Sequence, residues 1–436
     1  MNQRIEPRIL KGFRDFLPAQ ESRRKAVQTV LEQVFRRYGF LPIDTPVLEY
    51  TDVLLGKGGG ETDKQIYRFE DNGGRDVSMR FDLTVPFARY MAQHRAELYL
   101  PFKRYHIAKV FRGENTQRGR YREFTQCDFD IVGVDCASAD FEILLLMVRS
   151  LQALGVREFR IHLSHRGIFN RFLETLGVGD RAGEVLRVVD KIKKSGEEAV
   201  REELTQLLDL QRAAQVLMFI TADGSPAEVL TSLVALAGHD DGDTGRLEAV
   251  LRACAAVGIA DHVRLDPSIT RGLDYYTGIV YETFLDRAPE IGSVCSGGRY
   301  NDLASLYTKE QLPGVGSSIG LDRLLTALEE LGQHDAEPAA VDVLVLAFDS
   351  GDMGHYHALA EQLRNAGFSA EVYPETRKLA AQFSFAARKG IPVAVICGPE
   401  ERDSGVVTVK DLATRANYDG LTPQNAVETV RRIIGR

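Results

Sequence analysis

Cysteine is sparse and unpatterned. Cys127, Cys136, Cys254, Cys295 and Cys397 contain no CxxC spacing, so neither a zinc knuckle nor a disulfide framework is indicated, and a reducing cytosol fits best. Long apolar runs are missing too. ILLLMV at 143–148 is among the longest and is far too short to cross a bilayer, while MNQRIEPRIL lacks the apolar stretch of a secretion signal. A soluble cytoplasmic protein is expected, with no membrane partner. Positive charge is in deficit: a net charge of -8 excludes a protein that coats nucleic acid or membrane through bulk charge, although a local basic site is still allowed. No GxxxxGK[ST] occurs, and GKGGGET at 56–62 has the wrong order for a P-loop. It reads as a glycine-rich loop or a lid over substrate.

A chain of 436 residues predicts two to three domains. An amphipathic helix is expected over 20–38, ended by Gly39. YGFLPIDTPVLEY follows, its two prolines demoting it to an extended edge or interface strand. IYRFE, the turn DNGG and RDVSMRF read as a hairpin in which Asn72 and Gly73 supply positive backbone angles. FKRYHIAKVFR and YREFTQCDFDIVG read as two antiparallel strands joined by the polar loop 113–119. From about 166 to 262 the pattern is helical and polar-faced, an insertion, after which strand character returns at RGLDYYTGIVYETF. A linker at 332–340 precedes alternating strands and helices, a small α/β domain over 341–436. The fold class is therefore mixed α/β, with a main domain spanning 1–331.

Chemistry-bearing residues concentrate in four segments. In RGLDYYTG, Arg271 offers fixed donors to a carboxylate or phosphate beside the amphipathic rings of Tyr275 and Tyr276; the alternative is an arginine above two core tyrosines. Strand alternation places Arg122, Phe124, Gln126, Asp128 and Asp130 on one face, poor material for a core. The preceding strand offers Arg104, His106, Ala108, Val110 and Arg112 in the same way. Between positions 103 and 122, seven Lys or Arg stand against the single carboxylate Glu114, which suggests a polyanion ligand. An ATP reading suits these pieces: Arg112 and Arg120 as phosphate clamps, Phe124 under adenine, Glu114 accepting from the adenine amino group. In SMRFDLTVPFARY, Asp82 and Thr84 could hold an ammonium, or Asp82 could cap the following helix. In GVGSSIGLDRLL, small residues would let backbone approach a nucleotide, with Arg323 either stacking on it or lying on the surface.

Taken together, these segments resemble a known family. YGFLPIDTPVLEY, FRGENTQRGRYREF and GLDR are similar to the three signature motifs of class II aminoacyl-tRNA synthetases. RGLDYYTG with SGGRYNDL, and the segments MRFDLTVPFAR and KRYHIAKV, look like the histidyl branch of that class. KGIPVAVICG followed by GVVTVKDL resembles its anticodon-binding domain. The resemblance implies a class II antiparallel catalytic sheet flanked by helices, and activation of L-histidine by ATP with Mg2+ followed by transfer to tRNA(His), in a homodimer. It also implies roles. Asp82, Leu83, Thr84 and Gln126 would hold the substrate amino group; Asp130, Tyr275 and Tyr276 would surround the imidazole. Arg112 and Arg271 would flank the α-phosphate and substrate carboxylate as the catalytic pair, with Glu114, Arg120, Phe124 and Arg323 on the nucleotide. No metal-ligating side chain is implied. Many bacterial members carry Glu where this chain has Asp82 and Asp130, which shortens reach by one methylene and keeps the charge. The rivals are a synthetase-like regulatory subunit of ATP phosphoribosyltransferase, expected to lack the last domain, and a prolyl or threonyl enzyme, against which the tyrosine pair argues.

Overall fold

Val27, Leu31, Val34 and Phe35 recur at helical spacing and are buried on one face of the helix Pro18–Arg37. Proline occupies its first turn, where no amide hydrogen is needed, and Gly39 at φ +79° turns the chain away from its end. The computed structural model describes residues 4–56, 65–240, 242–269, 276–332 and 341–435. Two compact units result, Met1–Gln333 and His334–Arg436.

The first unit contains β1 (Leu41–Pro42), β2 (Leu48–Tyr50), β3 (Arg68–Glu70), β4 (Asp76–Met79), β5 (Phe102–Phe111), β6 (Glu123–Val132), β7 (Phe159–His165), β8 (Val263–Leu265), β9 (Ile279–Leu285), β10 (Cys295–Arg299) and β11 (Gly314–Gly320). Eight of them form one sheet in the order β1-β5-β6-β11-β10-β9-β7-β8. Only β1–β5 and β7–β8 pair in parallel; every other neighbour is antiparallel. The Pro-containing segment does sit at an edge, as β1. Alternation sends Tyr105, Cys127, Phe129, Ile131, Tyr281, Val315 and Ile319 into the core beneath the helix Pro18–Arg37 and the helix Ala137–Ala153. The opposite face stays polar.

Two local expectations change. In the hairpin between β3 and β4, the positive angle falls on Gly74 (φ +74°) and not on Asn72 or Gly73. Asp71 is the cause: its Oδ1 accepts from the Gly73 and Arg75 amides at 2.9 and 3.0 Å, closing a side-chain turn that leaves Asn72 no special task. The helices that run from Arg166 to Ala256 leave β7 and return as β8, its parallel neighbour. They are not a polar-faced appendage. Phe169, Phe172, Val216 and Phe219 join the same core as the sheet, and the Phe172 and Phe219 rings stack with centroids 4.4 Å apart. Such a pair contributes roughly 0.5–1.5 kcal/mol beyond its buried area.

The second unit has β12 (Val343–Val345), β13 (Ala370–Val372), β14 (Val393–Ile396), β15 (Val407–Asp411) and β16 (Asn417–Leu421) in the order β13-β12-β14-β15-β16. The first three pair in parallel through helices Met353–Asn365 and Leu379–Lys389. An antiparallel hairpin then extends the sheet. Apolar residues bury on both of its faces, as a parallel core requires. The linker expected at 332–340 lies outside the described residues apart from Gly332. Among the described residues no helix is long and apolar enough to cross a membrane.

Candidate active site

Register assembles the polar face. Arg104 lies opposite Asp130 and Asp130 opposite Gly316; His106 opposite Asp128 and Asp128 opposite Ser318; Ala108 opposite Gln126 and Gln126 opposite Gly320; Val110 opposite Phe124. Three strands thus present one ordered set of side chains, from Asp130 at one end to Phe124 at the other.

Asp130 anchors the first end. It is 2% exposed, lies 2.8 Å from the fully buried Arg104 guanidinium, and accepts from the Tyr300 hydroxyl at 2.5 Å. Burial pushes its carboxyl above the usual range, while Arg104 and Tyr300 oppose the shift. Arg104 is itself held over the Phe87 ring at 4.2 Å and donates to the Leu83 carbonyl at 3.3 Å. Glycine makes this packing possible: a Cβ on Gly316 would stand 1.9 Å from Asp130 Oδ1, and one on Gly314 would stand 2.3 Å from the Tyr300 ring. A Cβ on Gly298 would press on Tyr276 at 2.9 Å. The Tyr276 ring packs with Phe81, Val85 and Tyr300.

The other end opens into a cleft of about 120 Å3, lined by Arg112, Glu114, Arg120, Phe124, Gln126 and Arg323 among others. Arg112 lies over the Phe124 ring at 5.1 Å and donates from Nε to the Phe81 carbonyl at 2.9 Å. Arg120 is ion-paired to Glu114 at 2.5 Å. Arg323 donates to the Ser293 carbonyl at 2.6 Å, and burial lowers its pKa, with Arg120 and Arg112 adding to the effect. Three guanidiniums converging on one cleft, beside an aromatic face, offer fixed donors to an anion and a flat surface to a ring. A larger polar cavity, of about 420 Å3, opens beside Arg24, Lys25 and Lys109 and takes only Ala108 from the row.

The family model for histidyl-tRNA synthetase matches residues 12–324, and that for an anticodon binding domain matches 342–433. The chain belongs to the histidyl-tRNA synthetase family. It is 52% identical over 397 residues to a histidine–tRNA ligase of Treponema denticola, covering 90% of this chain and 89% of that one. A histidine–tRNA ligase of Rhodopirellula baltica is 48% identical over 421 residues, covering 95% of each. Among solved structures, histidyl-tRNA synthetase from Nostoc sp. PCC 7120 superposes with a TM-score of 0.86 at 31% identity, covering 98% of this chain and 100% of that one. The mixed α/β fold with its antiparallel central sheet and C-terminal anticodon-binding domain is the family's.

Within this synthetase-family frame, the residues singled out from sequence fall into three groups. Asp130, Gln126, Phe124, Arg112, Glu114, Arg120 and Arg323 share the polar face or its cleft, with Leu83 and Tyr276 packed at its Asp130 end. Asp82 is buried at the start of the helix Thr84–Gln93, where its Oδ1 accepts from the Val85 amide at 3.1 Å; the capping alternative is therefore realised, with Thr84 as the first helical residue. Arg271 and Tyr275 of RGLDYYTG lie outside the described residues, as does GKGGGET beyond Gly56.

Two readings need correction. The basic stretch at 103–122 is mostly neutralised by carboxylates from elsewhere: Lys103 by Glu142 at 2.5 Å, Lys109 by Glu123 at 2.8 Å, Arg118 by Glu330 at 2.7 Å, and Arg104 by Asp130. Of its seven cations only Arg112 and Arg120 line the cleft at the Phe124 end of the row. The glycines at 314 and 316 admit protein groups, not a nucleotide; Gly320 alone among them faces the cleft. Sequence reasoning also missed Arg104 and Tyr300 as partners of Asp130. Their signal was present in the facing row on β5 and in SGGRYNDL, but pairing them needed the register.

Proposed function

We infer that this chain is a histidine–tRNA ligase, the activity by which its curated relatives are named: it activates L-histidine with ATP to histidyl-adenylate and then transfers histidine to the 3′ end of tRNA(His). What carries the reading is the single polar row, with a buried carboxylate between arginine and tyrosine at one end and an arginine-lined, aromatic-floored cleft at the other. Asp130 would accept an imidazole N–H, with Tyr276 and Tyr275 closing over the ring. Gln126, Thr84, the Leu83 region and Asp82 would hold the α-amino group. Phe124 would lie under adenine, and Glu114, released from Arg120, would accept from its amino group. Arg120 and Arg323 would take the outer phosphates.

Activation joins two anions. The histidine carboxylate attacks the α-phosphorus, a new P–O bond forms, the bond to the β-phosphate oxygen breaks, and pyrophosphate leaves. Arg112 and Arg271 on either side of the reacting phosphate would stabilise charge that is greatest in the transition state. Mg2+ would neutralise charge on the phosphates it accompanies. Glu282, a carboxylate whose charge bears on Arg323, is suited to supply a protein oxygen to such an ion.

The C-terminal unit would read the tRNA(His) anticodon arm. Leu41, Val47, Leu48 and Tyr50, all exposed along the Pro-containing segment, favour burial against a second copy, a homodimer that sedimentation would detect. A cytoplasmic location accords with five unpaired cysteines. Histidine-dependent exchange of pyrophosphate into ATP tests the central claim. Exchange that requires histidine and is lost in Arg112→Ala is expected; a folded protein with no exchange overturns it.

A further inference from the structure

Asp128 has no part in the roles above, yet it stands at the centre of the row. It lies between Gln126 and Asp130 on the same face of β6, is 1% exposed, and its Oδ1 has no hydrogen-bond partner. The Gln126 amide oxygen beside it, in a residue 8% exposed, is also unpartnered, because the amide nitrogen donates to Ser318 Oγ at 2.8 Å. Two buried acceptors without donors cost free energy, and adjacent orphaned acceptors point to a ligand that brings donors.

The Ser318 hydroxyl hydrogen-bonds the Asp128 carboxylate and leaves Oδ1 open, and the other neighbours are turned elsewhere. His106, directly opposite, turns Nε2 to Asp44 at 2.9 Å and is held neutral, with burial and then Arg104 and Arg80 pulling its pKa down to about 3. Arg80 donates to the Thr45 and Lys109 carbonyls at 2.6 and 2.9 Å. Arg104 gives Nη2 to Asp130, and its Nε and Nη1, although without partners, make no bond to Asp128. Asp82 already receives the Val85 amide. The pocket therefore holds three carboxylates, Asp82, Asp128 and Asp130, against the single guanidinium of Arg104. Burial raises the Asp128 carboxyl to about 7, Arg104 opposes this and Asp130 adds to it. A compact cation with three donors answers both the missing charge and the orphaned oxygens.

We propose that Asp128 is a further substrate-binding residue, gripping the α-ammonium of the amino acid together with the Gln126 amide oxygen. The proposal rests on the reading of this face as the amino-acid pocket. It makes Asp128 a discriminator of amine from no amine, separate from Asp130 and the imidazole.

The test compares histidine with 3-(imidazol-4-yl)propanoate, which keeps the ring and carboxylate and lacks the amine, as ligands of the wild-type protein and of Asp128→Asn. Calorimetry or competition in pyrophosphate exchange gives both affinities. Wild type should prefer histidine strongly. In Asp128→Asn that preference should shrink by at least about tenfold, the scale of a lost hydrogen bond to a charged group, while ATP affinity holds. Asp128→Ser, read the same way with a thermal melt, covers failure of the first variant to fold. An unchanged preference, or equal loss of both ligands, overturns the proposal and leaves Asp128 a structural partner of His106. A wild-type protein that binds neither ligand is a different failure: it removes the amino-acid pocket itself, and the proposal with it.

Discussion

Gly316→Ala should separate binding of the amino acid from binding of the nucleotide. The new Cβ would lie 1.9 Å from Asp130 Oδ1, 2.4 Å from its Cγ and 2.9 Å from the Phe129 carbonyl oxygen. Ordinary contact needs the carboxylate to retreat by about 1.5 Å. It has little freedom to do so, because Arg104 holds it at 2.8 Å and Tyr300 at 2.5 Å. Either the carboxylate keeps its partners and β11 is pushed off β6, or it moves and leaves a guanidinium and a phenol short of a partner in a dry site. Overpacking of this kind costs about 1–3 kcal/mol, and an unsatisfied buried group adds about as much again. Denaturant unfolding should therefore show a loss of about 2–6 kcal/mol. In exchange assays the histidine KM should rise at least tenfold, whereas the ATP KM should change little, since Phe124 and Arg323 lie at the far end of the row. A variant with wild-type stability and an unchanged histidine KM would refute the claim that Gly316 exists to admit Asp130.

Arg104→Met should leave Asp130 buried without its cation and cost about 3–5 kcal/mol in denaturant unfolding; a loss below 1 kcal/mol would contradict the pairing. Asp140→Asn should be similarly damaging, because the fully buried Asp140 receives Arg299 at 2.8 Å and Arg246 at 2.5 Å and ties the helical segment to β10, on the face away from Tyr300. His165 is buried, and burial draws its pKa from 6.5 down to about 4. The unfolded chain binds a proton there that the folded chain refuses, so this contribution to stability is complete above about pH 6.5 and is lost as pH falls toward 4. His165→Asn should narrow the stability difference between pH 7 and pH 5; an unaltered difference would show that His165 is not its source. Glu114→Gln should loosen Arg120, changing the ATP KM while the histidine KM holds.

The face of β6 could be read from sequence because alternation is a local rule: once 122–132 is a strand, Phe124, Gln126, Asp128 and Asp130 must share a side. What opposes them is not local. Arg104 meets Asp130, and not Asp128, only because the loop after β5 sets that register. Tyr300 arrives from β10, past an intervening strand. The basic run at 103–122 overcounted the available cations for the same reason, since Glu142 and Glu330, which neutralise Lys103 and Arg118, lie on helices whose positions no charge count contains. The glycines of the third motif carried a true signal of close approach and no sign of what approaches. The motif at 271–276 carried the strongest sequence signal, and of it only Tyr276 is among the described residues.

Asp130 shows why the missed partners matter for specificity. A carboxylate in a dry site tends to protonate, and burial does push this one upward. Protonated, it would present a hydroxyl and bind an apolar or accepting ring as readily as imidazole. Arg104 offsets that tendency, and Tyr300 occupies one oxygen. An ionised carboxylate has about four lone-pair directions, so two fixed donors still leave room for an imidazole N–H. A ligand without that N–H would leave the remaining acceptor capacity unmet in a place water cannot easily reach. Discrimination against unpaired buried polar groups reaches about four to five orders of magnitude, enough to make proofreading unnecessary. Tyr300→Phe tests this division of labour: it removes one donor without touching the charge pair, so histidine binding should weaken less than in Arg104→Met. If Tyr300→Phe is the more damaging to histidine KM, the tyrosine contacts the substrate itself and is not a brace for Asp130.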